Sequence, residues 1–340
     1  MALYAGVDLH SNNNYLGILN EEGKRIHRKK LNNNLEEILE EFEPYRTDLA
    51  GIVVESTYNW YWYVDGLHDN GYDNVHLANP CAIKQYEGLK HSDDNKDAFH
   101  LANLLRLGIL PEGYIYPVEE RGIRDLLRKR LLLVRHRTAH ILSFKNLVSR
   151  RTGGNVTANM VKSLEEKDVE MYLTNKYENQ SGSANIAIIR ALNKEITKIE
   201  NAVKAEGKLR EEYEVLLTIK GVGPVLGLTI MYETGEIGRF KNVGNYASYC
   251  RCVESKRISN DKKKGHGNRK NGNRYLGWAY IEAANFLIRF NEIARKYYQR
   301  KLAKTNKLVA LKTVAHKRSR ACYHMIKEGR SFDIERVFRK

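Results

Sequence analysis

Short apolar runs separated by turn-forming residues dominate the first 115 residues of the chain. The runs Leu3–Asp8 and Leu49–Glu55 each end in an acid, and Asn14–Leu19 follows the first run after a Ser-Asn-Asn turn. Their composition predicts strands, the first two forming a hairpin. Further strands are predicted at 24–30 and 75–77, and apolar spacing of three and four predicts helices at 35–42, 60–70 and 94–107. This alternation predicts an α/β domain.

Long helical periodicities replace this alternation from residue 118 onward. One helix is predicted at 118–151 and a second at 183–203, with Gly153-Gly154-Asn155 breaking the chain between them. The two helices can pair as an antiparallel coiled coil or build a dimer interface. We therefore expect an α/β domain at 1–117, a coiled-coil segment at 118–208 and a mostly helical, all-α domain at 209–340.

Composition excludes several classes of protein. The chain has 340 residues, of which 42% are hydrophobic, enough to build real cores. Four cysteines are too few for a disulfide scaffold. No apolar run approaches the roughly 20 residues that a membrane span requires, and the first residues lack the features of a secretory signal. These features predict a soluble protein of a reducing compartment, with no membrane partner.

Positive charge is concentrated in three segments. The chain has 57 Lys and Arg against 41 Asp and Glu, a net charge of +16. Residues 118–151, 251–274 and 295–320 hold more than this excess, so the rest of the chain is acidic on balance. Three solvated helix faces are one interpretation. We favour a polyanionic partner, because phosphate neutralisation with counterion release rewards such clustering.

Four acids point to divalent-metal chemistry. Asp8 and Glu55 each close an apolar strand, and Asp94 and Asp97 lie three apart at the start of a helix, which places them on one face. Converging carboxylates repel unless cations lie between them, and oxygen-rich sites suit Mg²⁺ or Mn²⁺. A β-hairpin, acids on the first and fourth strands and a late helical Asp are typical of a ribonuclease-H-like fold. Asp94 could instead be only a helix N-cap, and Asp93 competes for the metal role.

Two further segments have the composition of a phosphate-binding surface. Gly221-Val222-Gly223-Pro224 resembles a helix-hairpin-helix turn, although a simple tight turn would also require glycine. The Lys-, Asn- and Gly-rich stretch 255–274 suits a loop along a nucleic-acid backbone. Ser259 lies among its cations, which could favour an attacking alkoxide, although most serines in such loops are turn formers. The candidate nucleic-acid-binding residues are Lys220, Gly221, Gly223, Lys256, Arg257, Lys262, Lys263, Lys264, Arg269, Lys270, Asn273 and Arg274.

The order and spacing of the motifs resemble those of the insertion-sequence-110 family of transposases, the bridge-RNA-guided recombinases, and especially its insertion-sequence-1111 group. The resemblance covers nearly the whole chain. The motifs that carry it are Gly6-Val7-Asp8, Val53-Val54-Glu55, Asp94-Asn95-Lys96-Asp97-Ala98, Ile219–Pro224, Gly238-Arg239-Phe240 and Lys270–Leu276.

The resemblance implies two kinds of catalytic residue, metal-binding acids and a serine nucleophile. It implies a RuvC-like domain whose DEDD metal ligands are Asp8, Glu55, Asp94 and Asp97, and a C-terminal transposase domain with a serine nucleophile. The matching serine is Ser259, followed here by Asn260 where relatives have Gly. Arg251-Cys252-Val253-Glu254 replaces the usual Gly-Leu-x-Pro, so Ser255 is the second choice.

The same resemblance implies a mechanism and partners. A structured noncoding guide RNA would pair with donor and target double-stranded DNA, while the protein reads backbone shape and charge. With magnesium, Ser259 would form a phosphoserine linkage that a freed 3′-hydroxyl then reverses. The family implies homodimers that assemble into synaptic tetramers, and a cytoplasmic, nucleoid-associated protein of bacteria.

Two other functions use part of the same features. A metal-dependent, structure-specific DNA nuclease would need the four acids and would use water as its nucleophile. A non-enzymatic RNA-binding protein would need only the three basic segments. A covalent protein–DNA adduct that depends on Ser259 separates the first alternative from the recombinase, and tolerance of Asp8→Asn would favour the second.

Overall fold

The computed structural model describes residues 1–83, 94–207, 210–254, 257–259, 262–265 and 271–338. It divides into two compact units, essentially residues 1–115 and the chain from Tyr116 onward. The first is mixed α/β and the second is mostly helical. This confirms the predicted combination of an α/β N-terminal region with a helical C-terminal region. The finer division into three domains stays a prediction.

A five-stranded sheet forms the centre of the first unit. Its strands are β1 (Leu3–Leu9), β2 (Asn13–Asn20), β3 (Arg25–Asn32), β4 (Leu49–Glu55) and β5 (Val75–Ala78). Their spatial order is β3-β2-β1-β4-β5, with β1, β2 and β3 antiparallel and with β4 parallel to both β1 and β5. This mixed sheet, opened by a hairpin, agrees with the ribonuclease-H-like expectation.

Burial explains why the central strands are so apolar. Ile52, Val53 and Val54 of β4 are all buried, because helices cover both faces of a strand with parallel neighbours. Each such side chain contributes roughly 1.5–3 kcal/mol through removal from water. The helices of this unit are α1 (Leu35–Phe42), α2 (Tyr61–Asp69), α3 (Pro80–Ile83) and α4 (Asp94–Arg106).

Two long helices open the second unit. They are α5 (Val118–Thr152) and α7 (Lys176–Gly207), and a short helix, α6 (Ala158–Ser163), lies between them in the chain. Arg130 of α5 bonds Glu200 of α7 at 2.6 Å, and Arg137, seven residues later, bonds Asn193, seven residues earlier. This descending register means that the two helices pair antiparallel within one chain, as one of the two sequence interpretations predicted.

Seven shorter helices build the rest of this unit as the structure describes it. They are α8 (Glu211–Leu217), α9 (Pro224–Thr234), α10 (Val243–Tyr249), α11 (Arg274–Phe290), α12 (Glu292–Leu302), α13 (Lys307–Glu328) and α14 (Ile334–Phe338). Their core is rich in alanine and tyrosine, and Ala279, Tyr280, Ala283 and Ala284 of α11 are fully buried. Small residues let helices approach one another closely. The buried residues of α11 belong to the core that the helices of this unit share.

The stretch 255–274 contains a short pair of strands, where its composition suggested only a loop. Strands β6 (Arg257–Ser259) and β7 (Lys262–Gly265) pair antiparallel.

No helix in the described part of the chain is both long and apolar enough to cross a bilayer.

Candidate functional site

Two of the predicted acids lie side by side in the sheet. Asp8 is the penultimate residue of β1 and Glu55 is the last residue of β4. These strands are parallel neighbours, with Val7 opposite Val54 in the register, so the next residue on each strand is an acid. Carboxyl ends of parallel strands are where α/β sheets place their ligands.

A glycine brings the third acid to the same edge. Helix α4 packs across β1, and a Cβ on Gly6 would collide with the Ala98 carbonyl and lie 2.7 Å from the Ala102 amide nitrogen. Only glycine therefore lets the helix backbone approach the strand this closely. Asp97 immediately precedes Ala98 on α4 and is exposed. Because α4 packs this closely against β1, Asp97 lies near the edge of the sheet that holds Asp8.

The electrostatics of Glu55 show that these carboxyl groups face one another. Burial, a hydrogen bond with Asp8 and the negative charges of Asp8 and Asp97 together raise the pKa of Glu55 to about 8. Asp8 itself is only 4% exposed. At neutral pH Glu55 therefore keeps its proton, and a cation placed among these carboxyl groups would take the place of that proton.

His10 is a neighbour that the sequence analysis did not single out. Its Nε2 atom lies 3.2 Å from Oδ2 of Asp8. The available signal was its spacing, because residues two apart at a strand end lie on the same face. Its backbone carbonyl also accepts a hydrogen bond from the Asn59 side chain, which ties this edge to the loop after β4.

The donor set fits a hard divalent cation, since carboxylate oxygens are the preferred ligands of Mg²⁺ and Mn²⁺. Among the residues with described side chains, no group of three or more His, Cys, Asp or Glu is closed enough to hold a metal ion. Asp94 begins α4, and its side chain lies outside those described. Asp8 and Glu55 are in direct contact and Asp97 lies within electrostatic reach of Glu55, whereas a closed set of metal ligands, including Asp94, stays a prediction.

The candidate nucleophile lies in the second unit. Ser259 ends β6, and its register partner is Lys262 on β7. Lys262 and Lys264 are exposed, as a phosphate-binding hairpin requires. Arg257 and Lys263 lie on the same strands, and their side chains, like that of Ser259, are outside the description. Ser255, Lys256, Arg269 and Lys270 lie outside the described residues altogether.

The glycine hairpin joins α8 to α9. Lys220 is exposed, and Gly223 is the N-cap of α9, with open space around it. Gly221 instead lies against Phe286 and Leu287 of α11. This part of the hairpin therefore has a packing role, while Lys220 and the start of α9 are accessible.

Asn273 lies in a different setting from the one the sequence suggested. It is 8% exposed, and its Oδ1 accepts hydrogen bonds from the backbone amides of Tyr275 and Leu276 as the N-cap of α11. Its Nδ2 donates to Oε2 of Glu233 at 2.7 Å. Its polar atoms are thus used inside the protein, so the structure supports a stabilising role for Asn273 rather than contact with a phosphate. Arg274 is exposed beside it.

Glu233 is the acceptor of a buried cluster that the sequence analysis missed. It is 1% exposed and bonds Arg124 at 3.1 Å and Arg128 at 2.5 Å, both on α5. Burial alone would raise the pKa of Glu233, but the hydrogen bond from Arg128 and the charges of both arginines lower it instead. In the sequence, Glu233 stands out only as the single acid in the otherwise largely apolar run 224–234.

Two family models match parts of this chain, and the matched ranges reach into both units. A DEDD-type family model for IS110, described as "Transposase", matches residues 5–151. A second model, "Transposase IS116/IS110/IS902 family", matches residues 213–299. A protein of Streptomyces clavuligerus, the insertion element IS116 uncharacterized 44.8 kDa protein, is 24% identical over 146 residues. The match covers 42% of this chain and only 36% of that protein.

Proposed function

Because the chain belongs to the IS110 family of transposases, we propose that it is a DNA transposase that exchanges strands between a donor and a target duplex. The observation that carries the proposal is the contact of Asp8 and Glu55 at the ends of two parallel neighbouring strands, with Asp97 within electrostatic reach of Glu55. Carboxylates arranged to share a cation serve phosphoryl transfer in many enzymes. The exposed cations of β7 supply the contact to DNA.

The carboxylates are the proposed ligands of Mg²⁺, with Mn²⁺ as a substitute. Asp8, Glu55 and Asp97 would hold it, with Asp94 as a fourth ligand. When bound, such an ion stabilises the charge that builds up on a phosphate during transfer. The protein's own contribution is position: Glu55 and Asp8 are held on adjacent strands, and Gly6 sets the distance of α4 from them.

Ser259 is the proposed nucleophile, with Ser255 as the second choice. The serine oxygen bonds to phosphorus, the bond from phosphorus to the 3′-oxygen breaks, and the serine proton passes to the released 3′-oxygen. The phosphoserine ester retains the energy of the broken phosphodiester. A 3′-hydroxyl from another strand then attacks this ester, which returns the proton to Ser259 and joins the new strands. Lys262, its register partner, would favour the charged transition state.

A structured noncoding RNA is the proposed guide, pairing with both donor and target DNA. The basic residues concentrated in three segments of the chain would gain from neutralising RNA phosphates as well as DNA phosphates. The active form is proposed to be a homodimer that assembles into a synaptic tetramer. Acids and serine would then be contributed by different subunits.

The test is to trap the covalent intermediate. Purified protein with copurified RNA and Mg²⁺ is incubated with donor and target duplexes, denatured and resolved for DNA-linked protein. The adduct should form with wild type and Ser255→Ala, and disappear with Ser259→Ala. The reverse pattern would assign Ser255 instead. Cleavage without any adduct would favour the nuclease that uses water.

Asp8→Asn separates the chemistry from binding. It should abolish strand exchange while DNA affinity persists, because it removes a ligand without adding charge repulsion. Full strand exchange in this variant would contradict the metal site. Full activity in RNA-free preparations would contradict the guide.

A further inference from the structure

A cavity of about 540 Å³ lies in the second unit, and none of its lining residues is a candidate metal ligand or nucleophile. It is bordered by the C-terminal half of α13 and by residues 330–337, and Tyr297 of α12 lines it. Its size is that of pockets that hold small organic ligands.

The lining of this cavity is strongly cationic. Lys317, Arg320, Arg330 and Arg336 line it together with His316 and His324. Burial and the charges of Arg320 and Lys317 lower the pKa of His316. Burial and the charges of Lys301 and Arg320 likewise lower the pKa of Lys317. Cations crowded in this way gain most from an anion placed among them.

The two acids of the cavity already have partners: Glu328 pairs with two of the lining cations, and Asp333 caps a helix. Glu328 is held by His324 at 3.1 Å and by Arg330 at 3.4 Å. Asp333 accepts hydrogen bonds from the backbone amides of residues 335 and 336 as the cap of the last helix. Arg320 and Arg336 have no acidic partner among the described residues, and both are exposed to the cavity mouth.

Aromatic rings complete the lining. Nζ of Lys317 lies 5.3 Å from the centroid of the Tyr297 ring, which itself packs edge-on against Phe338. Phe332 also lines the cavity, and its backbone amide is fixed by a 3.1 Å hydrogen bond to the Thr218 hydroxyl. Aromatic rings in a cationic cavity are the chemistry that binds a base together with its phosphate.

We propose that this cavity is a nucleotide-binding site. Arg320 and Arg336 contact the phosphate, and the rings of Tyr297 and Phe332 contact the base. Arginine suits this role because its planar donors match phosphate oxygens. The nucleotide is either free or one unit of a nucleic-acid strand, and the inference does not depend on the proposed strand exchange.

Calorimetric titration of the full chain tests the proposal with three probes: dAMP, a 5′-phosphorylated single-stranded tetranucleotide and inorganic phosphate. The variants are Arg320→Ala and Arg336→Ala, both at exposed positions that leave the core intact. Lys327→Ala is the matched control, because Lys327 is an exposed cation on α13 outside both the cavity lining and the three basic segments.

Saturable binding of dAMP, at least tenfold weaker in each arginine variant and within twofold of wild type in Lys327→Ala, supports a free nucleotide. The same variant pattern seen only with the tetranucleotide supports a strand. The proposal is overturned if the arginine variants bind both nucleotide probes as wild type does. It is also overturned if inorganic phosphate binds as tightly as the nucleotide probe, since the rings would then have no role.

Discussion

The side-chain amide of Asn273 lies 2.7 Å from the carboxylate of Glu233, joining the start of α11 to the end of α9 across 40 residues of sequence. Arg124 and Arg128 of α5 bond the same carboxylate. One buried acid thus connects three helices. Gly272, just before Asn273, has a positive φ and lies against the Tyr249 carbonyl, where a Cβ would come within 2.5 Å. The chain that leaves the basic segment 255–274 is therefore anchored at a defined point.

Asn273→Ala should destabilise the second unit by about 2–4 kcal/mol. The change removes an N-cap, worth about 1 kcal/mol, and a hydrogen bond to a charged group, worth roughly 1.5–3 kcal/mol. Asn291→Ala is the matched control, because Asn291 caps α12 through Ala294 and contacts no acid in the described chain. Urea unfolding followed by circular dichroism measures both. Equal losses in the two variants would show that the bond to Glu233 contributes nothing.

Glu233→Gln should change how the stability of the second unit depends on pH. The pKa of Glu233 is lowered in the folded protein, so its contribution is fully present above its unfolded pKa of about 4.5 and is lost as pH falls through the folded value. At pH 7 the variant should be less stable by roughly 3 kcal/mol, because the buried Arg124 and the partly buried Arg128 lose their counter-charge. This gap should narrow as the pH is lowered from 5 to 2. Parallel curves for variant and wild type would contradict the assignment.

Gly6→Ala should destabilise the first unit by at least about 2 kcal/mol. The added methyl group would meet backbone atoms of Ala98 and Ala102, which cannot rotate away as a side chain can. Gly113→Ala is the control in the same unit, since its nearest neighbour, on Leu77, is at an ordinary 3.4 Å. Thermal unfolding compares the two. A loss in Gly6→Ala no larger than in the control would mean that α4 does not need this close approach.

Replacing Lys262 and Lys264 with Ala should weaken DNA binding and flatten its dependence on salt. Each phosphate contact contributes about 0.9 to the slope of log affinity against log salt, so the slope should fall by about 1.8. Fluorescence anisotropy with a labelled duplex at several salt concentrations measures it. Lys162 and Lys194 are exposed lysines outside the three basic segments, and their double Ala variant should keep the slope. An unchanged slope in the first variant would place β7 away from the phosphates.

Local pattern was enough for several elements of the fold. The predicted bounds of the helix at 35–42 and the strand Leu49–Glu55 are those of α1 and β4, because apolar spacing directly reports which face is buried. The helix predicted at 183–203 extends in the structure over Lys176–Gly207. Its first turns are rich in polar and small residues, and Gly182 lies so close to Val169 and Leu173 that a Cβ would come within 2.7 Å of both side chains.

The candidate site likewise combines features that follow from local sequence pattern with contacts that depend on how the elements pack. The residues alone show that Asp8 and Glu55 end apolar strands, that basic residues cluster in three segments, and that the motifs resemble those of a transposase family. The packing of the elements adds that Asp97 lies within electrostatic reach of Glu55 and that Asn273 turns inward to Glu233. The physical reason is the distance along the chain over which each signal acts. Hydrophobic periodicity reports which residues are buried and which are exposed within one helix or strand. The contacts of Glu233, in contrast, join residues more than 100 positions apart, and only the packing of whole helices brings these together.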